Sequence, residues 1–305
     1  MTKIMISLFL ALFLAPAMAA DKSGAHNPAN LQLASVSAVV MDASSGEVLY
    51  QKYANMVKPI ASLTKVMTAM VVLDAKLPLN ETIRFSQDDR KAINYYHSRI
   101  RVDSELDRGE VLRLALMSSE NLAAAALGRN FPGGLPAFVA KMNAKARALG
   151  MKNTRYVDSS GLSHENVSTA ADLAKLVAAA AKYKEITNYS TTPIYTANFS
   201  RPRYRLDYVN TNPLVRYQRW DVAMSKTGYL DEAGRCLVMK AKVDGKDLLI
   251  VMLDSFGKTS PMGDAGRIKR WLASGNGGTV ASAAKEYQKR KIATHLASRA
   301  TASIR

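Results

Sequence analysis

The chain predicts an α+β domain in which strands from its two ends share one antiparallel sheet around a helical middle. Three observations lead there. β-rich runs stand near both ends, residues 61–180 carry three-and-four spaced apolar stripes, and no repeat of 20 to 50 residues is evident. With 305 residues, 48% of them hydrophobic, the chain has ample material for a core and is too apolar to be disordered.

Taken in order, residues 1–20 read as a secretory signal peptide. Lys3 is the n-region, Ile4 to Leu14 an apolar run too short to span a bilayer, and Ala17-Met18-Ala19 a small-x-small cleavage site. Residues 21–34 read as a polar leader, 35–274 as one folded domain and 275–305 as a basic tail. Ser35 to Met41 and Val48 to Lys52 predict two strands joined at Ser44-Ser45-Gly46. Behind Pro59, Leu63, Val66, Met67, Met70 and Val71 mark a helix over 61–76. Gly109 to Met117 and Leu122 to Gly128 predict two helices broken at Ser118-Ser119-Glu120-Asn121, and Ala137 to Leu149 a third ending at Gly150. Thr169-Ala170-Ala171-Asp172 starts another with a capping-box-like pair. Val222 to Tyr229, Arg235 to Val243 and Leu248 to Asp254 predict strands, the last two joined by a tight Asp244-Gly245 turn. A helix over Gly263 to Ala273 closes the domain.

The balance of 42 basic against 25 acidic residues is +17, and removing Lys3 with the leader leaves 17 − 1 = +16. Such a charge suggests a polyanion, and export directs it to a wall or acidic lipid surface rather than to nucleic acid. Residues 279–305 alone carry six basic residues against one Glu, a net of 6 − 1 = +5. Val280, Ala284 and Tyr287, with Ile292 and Leu296, allow a basic amphipathic helix on an anionic surface, but a solvated, partly disordered tail is the favoured reading. The single Cys236 forbids an internal disulfide and reads as a small buried hydrophobe.

The four histidines are too scattered to suggest a site, and Gly-x-Ser-x-Gly and phosphate loops are absent. No cofactor or metal is expected. What remains is a serine whose base is a lysine. Ser-x-x-Lys occurs at Ser62, Ser255 and Ser282, but only Ser62 and Lys65 stand at the start of a strongly periodic helix, one turn apart on one face. A serine needs an adjacent base, and a lysine serves only if burial or a second cation lowers its pKa. Alone, the pair also fits a capping serine beside a solvated lysine. Ser119-x-Asn121 places a hydroxyl and a carboxamide in the break between two helices. Lys226-Thr227-Gly228 gives a strand a point charge, a hydroxyl donor and a close-approach position. Alternation sends Lys226 and Thr227 to opposite faces, so both serve one anion only if the cleft straddles the strand edge.

In combination, Ser62-x-x-Lys65, Ser119-x-Asn121 and Lys226-Thr227-Gly228 resemble the three active-site motifs of penicillin-binding proteins and serine β-lactamases. Pro59 to Met70, Leu116 to Asn121, Gly161-Leu162-Ser163 and Lys226 to Tyr229 are similar to the D-alanyl-D-alanine carboxypeptidase family of low-molecular-mass penicillin-binding proteins. The resemblance covers residues 35–273. It implies a β-lactamase/transpeptidase-like fold, a periplasmic enzyme acting on peptidoglycan peptides and β-lactams as covalent inhibitors. Ser62 would be the nucleophile, Lys65 its base and Ser119 the proton relay, with Lys226 helping. Asn121 would hold the substrate amide and Thr227 the carboxylate beside the scissile bond. Backbone N–H groups of Ser62 and Tyr229, the residue after Gly228, would form the oxyanion site. A D-alanyl-diaminopimelate cross-link keeps that carboxylate, so the resemblance admits an endopeptidase as well as a carboxypeptidase acting on pentapeptide stems; a non-catalytic β-lactam- or wall-binding module is the alternative from another class. Ser62 to Asp74, Ala115 to Asn121 and Phe131-Pro132-Gly133-Gly134 favour the endopeptidase branch. No counterpart of the β-lactamase Glu-x-x-x-Asn segment is seen, which implies slow release of penicillin; His164-Glu165-Asn166 is a poor substitute.

Overall fold

A computed structural model describes residues 26–302, with side chains to residue 297; the expected signal peptide and residues 21–25 lie outside it. Strands β1 (Ser35–Asp42), β2 (Val48–Lys52), β3 (Asp221–Leu230), β4 (Gly234–Val243) and β5 (Lys246–Ser255) form one antiparallel sheet in the order β2-β1-β5-β4-β3. The two chain ends meet in its middle, where Val39 pairs with Val251 and Val40 with Ile250. Asp244 and Gly245 both have positive φ, +50° and +78°, as a two-residue hairpin turn requires.

Both faces of the sheet are covered, which is why Leu248 to Leu253 is continuously apolar rather than alternating. Val39, Val238, Leu249 and Val251 pack on the helical middle, built from α1 (Thr64–Asp74), α2 (Arg108–Met117), α3 (Asn121–Arg129), α4 (Gly134–Ala148) and α5 (Ala170–Ala180). Val40, Met239, Ile250 and Met252 pack on Ile268 and Trp271 of α6 (Ser260–Ser274). The α1 segment is apolar almost all round, since it is the central helix of the bundle; residues 64–72 are all buried. At α5 only half of the anticipated capping box forms. Thr169 accepts from the Asp172 N–H, but the Asp172 carboxylate turns instead to the Asn153 N–H and the Thr154 hydroxyl.

The helical middle also carries short antiparallel ladders, among them Thr82–Arg84 with Glu105–Asp107 and Lys58–Pro59 with Val167–Ser168. A hairpin of Ile194–Phe199 and Tyr204–Val209 stands in the Tyr- and Arg-rich stretch.

Two boundaries differ from the sequence expectation. Residues 31–34 are not a solvated leader: Leu31 and Leu33 are buried, and the buried Asp264 carboxylate accepts from the N–H groups of Ala34 and Ser35 at 2.7 and 2.8 Å. The tail is not loose either. It forms α7 (Ser282–Ala302), which buries Val280 and Ala284 against Ala34. Tyr287 donates to Asp254 at 2.5 Å and the Gln288 amide to the Leu33 carbonyl at 2.7 Å. Polar anchors hold it, and these leave little trace in an apolar pattern.

Candidate active site

The chain reaches α1 through a single 3-10 turn, Ala61–Leu63, in which Ala61 and Leu63 are buried while Ser62 stays partly open. Two glycines let other elements close on that turn. A side chain at Gly161, where φ is +83°, would put a Cβ 2.0 Å from the Ala61 carbonyl oxygen. At Gly228 on β3 an added Cβ would stand 3.2 Å from the Ser62 nitrogen and 3.1 Å from the Ile60 carbonyl oxygen. The Ser62 turn is therefore clamped between backbone on two sides.

Lys65, one turn into the helix, is fully buried. Its Nζ donates to Ser62 Oγ at 3.0 Å, Asn121 Oδ1 at 2.8 Å and the Ser160 carbonyl at 2.6 Å. This excludes the solvated-lysine alternative, and no capping bond is made by Ser62. Burial lowers the Lys65 ammonium to about 7, against the opposing pull of the Asp158 and Glu120 carboxylates. The Ser160 carbonyl is aimed by Asp158, whose carboxylate accepts from the N–H groups of Ser160, Gly161 and Ser163. His164-Glu165-Asn166 is structural here: Asn166 is buried and bonded to Asp158, and Glu165 pairs with Arg155.

Ser119 sits in the α2–α3 break with φ +61°, a left-handed conformation that sends its side chain away from either helix. Its hydroxyl accepts from Lys226 Nζ at 2.8 Å. Glu120 caps α3 through the Leu122 N–H, which fixes Asn121 as that helix's first residue, bonded to Lys65. Lys226 is 1% exposed, and burial first, then the charge of Lys65, holds its ammonium well below the ordinary lysine value.

The strand-edge condition is met. β3 is the last strand of the sheet, with Lys226 buried against the helical side and Thr227 turned the other way to bond the Thr211 hydroxyl at 2.7 Å. A cleft of about 460 Å³ runs along this edge, lined by Ser62, Ser119, Asn121, Thr227, Gly228 and Tyr229. Lys65 and Lys226 lie behind its wall. All eight residues singled out from sequence thus converge.

Of the tyrosines and arginines preceding the second motif, Tyr96 lines the cleft, while Arg99 and Arg101 lie over the rings of Tyr208 and Tyr204. Cys236 is buried beneath the cleft, its thiol pushed up to about 12. Sequence reasoning missed Thr211, the Ser160 carbonyl and the Arg235 and Met262 walls. Gly161 stands in a recognisable phrase of the sequence, but nothing local marks the carbonyl beside it.

A serine bonded to a buried, depressed lysine, facing a second hydroxyl–lysine pair in one cleft, defines an active-serine hydrolase of the acyl-enzyme type. The chain belongs to the S11 peptidase family described as D-alanyl-D-alanine carboxypeptidase, whose model matches residues 22–257. It is 47% identical over 287 residues to a D-alanyl-D-alanine endopeptidase of Pseudomonas aeruginosa, covering 93% of this chain and 92% of that one. A D-alanyl-D-alanine endopeptidase of Escherichia coli is 44% identical over 297 residues, covering 97% and 96%. Among solved structures, the Streptomyces K15 DD-transpeptidase superposes with a TM-score of 0.72 at 28% identity, over 77% of this chain and 95% of that one. The β-lactamase/transpeptidase-like fold expected from the motifs is the fold observed.

Proposed function

We propose that the chain is a serine D,D-endopeptidase that cleaves D-alanyl-diaminopimelate cross-links in peptidoglycan and is trapped by β-lactams. Convergence carries the reading: Lys65 on Ser62 at 3.0 Å and Lys226 on Ser119 at 2.8 Å, facing one cleft. Ser62 Oγ attacks the carbonyl after the D-alanine while neutral Lys65 takes its proton. The oxyanion is held between the backbone N–H groups of Ser62 and Tyr229. The C–N bond then breaks as the leaving amine takes a proton from Ser119; Lys226 resupplies Ser119 and is recharged by the proton that Lys65 took from Ser62. Lys65, neutral again, takes a proton from the water that hydrolyses the ester and returns it to Ser62.

Asn121 orients the substrate amide as well as Lys65. Thr227, with Lys226 behind it, takes the carboxylate beside the scissile bond, and the Thr211 hydroxyl fixes the Thr227 rotamer. Names of relatives and the phrases shared with the endopeptidase branch support cross-links over pentapeptide termini. Residues 1–20 support export to the periplasm; among the described residues no helix is long and apolar enough to cross a membrane. The basic face of α7 is a candidate for peripheral contact with wall or membrane.

Fluorescent penicillin and purified cross-linked muropeptides test this together. Wild type becomes labelled and converts dimers to monomers, and Ser62→Ala does neither. Labelling of Ser62→Ala, or wild type that leaves dimers intact, contradicts the proposal.

A further inference from the structure

Glu120 stands between Ser119 and Asn121 and is tied down at three points. Its N–H donates to the Leu114 carbonyl of α2 at 3.2 Å, its carbonyl accepts from the Ala124 N–H of α3 at 3.3 Å, and its carboxylate accepts from the Leu122 N–H at 3.2 Å. These bonds hold the break between the two helices in the shape that leaves Ser119 left-handed and makes Asn121 the first residue of α3. A single acceptor oxygen suffices for the capping bond, and a neutral amide on the same stem carries one. The cap therefore does not account for the negative charge.

That charge is half-buried, and among the described residues no cation forms an ion pair with it. Inward of it lie the two buried lysines. Lys65 feels two carboxylates, Glu120 from the α2–α3 break and Asp158 from the loop before Gly161, while Lys226 on β3 feels the charge of Lys65. Neither carboxylate hydrogen-bonds Lys65, whose donors go to Ser62, Asn121 and the Ser160 carbonyl. Asp158 is occupied by the N–H groups of Ser160, Gly161 and Ser163 and by the Asn166 amide, so its charge cannot be removed without disturbing the loop. The remaining titratable neighbour of Glu120 is the Tyr208 phenol, which burial holds in its neutral form. Glu120 is thus the carboxylate whose charge and hydrogen bond can be separated.

The proton path of the proposed reaction needs one proton shared by two amines: Lys65 must be able to receive it and Lys226 to pass one on to Ser119. Burial opposes any proton in this pocket, and a fixed negative charge beside it acts the other way. Resting on the reading of Lys65 as the base, we propose that Glu120 is a positioning residue whose capping oxygen shapes the Ser119–Asn121 break and whose charge keeps a proton on the lysine pair near neutral pH.

The test is the pH profile of Ser62 acylation by benzylpenicillin, measured on the full chain between about pH 5 and 9, with the urea midpoint of each variant read alongside. A nearby carboxylate favours the protonated lysine, so Glu120→Gln, which keeps the capping oxygen and loses the charge, should move the midpoint of the profile down by about half to one pH unit. Below that midpoint it should acylate faster, relative to its own plateau, than wild type does, an effect that a merely structural loss does not produce. Glu120→Asp, which keeps both the charge and an acceptor oxygen, should titrate close to wild type. An unmoved midpoint in Glu120→Gln overturns the proposal, and so does an equal shift in Glu120→Asp. A Glu120→Gln chain that no longer folds overturns it as well, by showing that the cap itself needs the charge. Wild-type acylation that fails to climb through about pH 7 would instead defeat the reading of Lys65 as the base on which this one stands.

Discussion

At the scale of single residues, the chemistry turns on how Lys65 is held ready to give up its proton beside Ser62. Lys65 has no carboxylate in hydrogen-bond contact; its three partners are a hydroxyl, an amide oxygen and a peptide carbonyl. Each satisfies a donor without supplying the full negative charge that would hold the ammonium protonated, so desolvation prevails and the group falls to about 7. Because the neutral amine is the base, the rate of Ser62 acylation by benzylpenicillin should climb as pH rises through about 7. Lys65→Arg, which stays charged, should lower that rate by about 10²- to 10⁴-fold. A flat profile across that range, or an active Arg variant, would refute the assignment. The same depression has a thermodynamic sign. Between about 7 and 10.5 the unfolded lysine holds a proton that the folded one lacks, so this group makes stability rise with pH in that window.

At the scale of elements, the nucleophile owes its place less to α1 than to what presses on the turn before it. The loop after Asp158 and the edge strand β3 both approach the Ala61–Leu63 turn at backbone distance, and Gly161 and Gly228 make that approach possible. Replacing Gly161 by Ala adds a Cβ at 2.0 Å from a carbonyl oxygen and strains a residue at φ +83°. The variant should lose about 2 kcal/mol or more, read as a lower urea midpoint. It should also acylate more slowly, because the loop's recoil moves the Ser160 carbonyl off Lys65. A wild-type midpoint together with a wild-type acylation rate would show that the clamp is not needed. The elements themselves followed from pattern where one driving force dominated: β1, β3, β4 and β5 from apolar runs, and α1 to α5 from their stripes. The Ile194–Phe199 and Tyr204–Val209 hairpin escaped because its two strands bury only Ala197, Phe199 and Tyr208 and carry no apolar run. Docking of α7 escaped because a phenol, an amide and two small residues hold it.

Across the whole molecule, a +17 charge and a cleft open along a sheet edge suit an enzyme that works on an insoluble polyanion. Hydrolysis of intact sacculi should fall steeply between about 0.05 and 0.5 M salt, as the Debye length shrinks, while cleavage of small soluble dimers changes little. Equal salt sensitivity for the two substrates would deny the surface charge any part in capturing the wall. The proposed chemistry was legible in the linear chain because the residues proposed as nucleophile, base, relay and anion site lie in short motifs whose residue types such a reaction demands. What the chain alone left open was whether Lys65 is dry, whether Lys226 and Thr227 reach one cleft from opposite faces, and which carbonyl completes the lysine's donors. Those answers depend on contacts 56 to 107 residues apart. Desolvation and edge position are properties of packing, and packing joins residues that no local pattern relates.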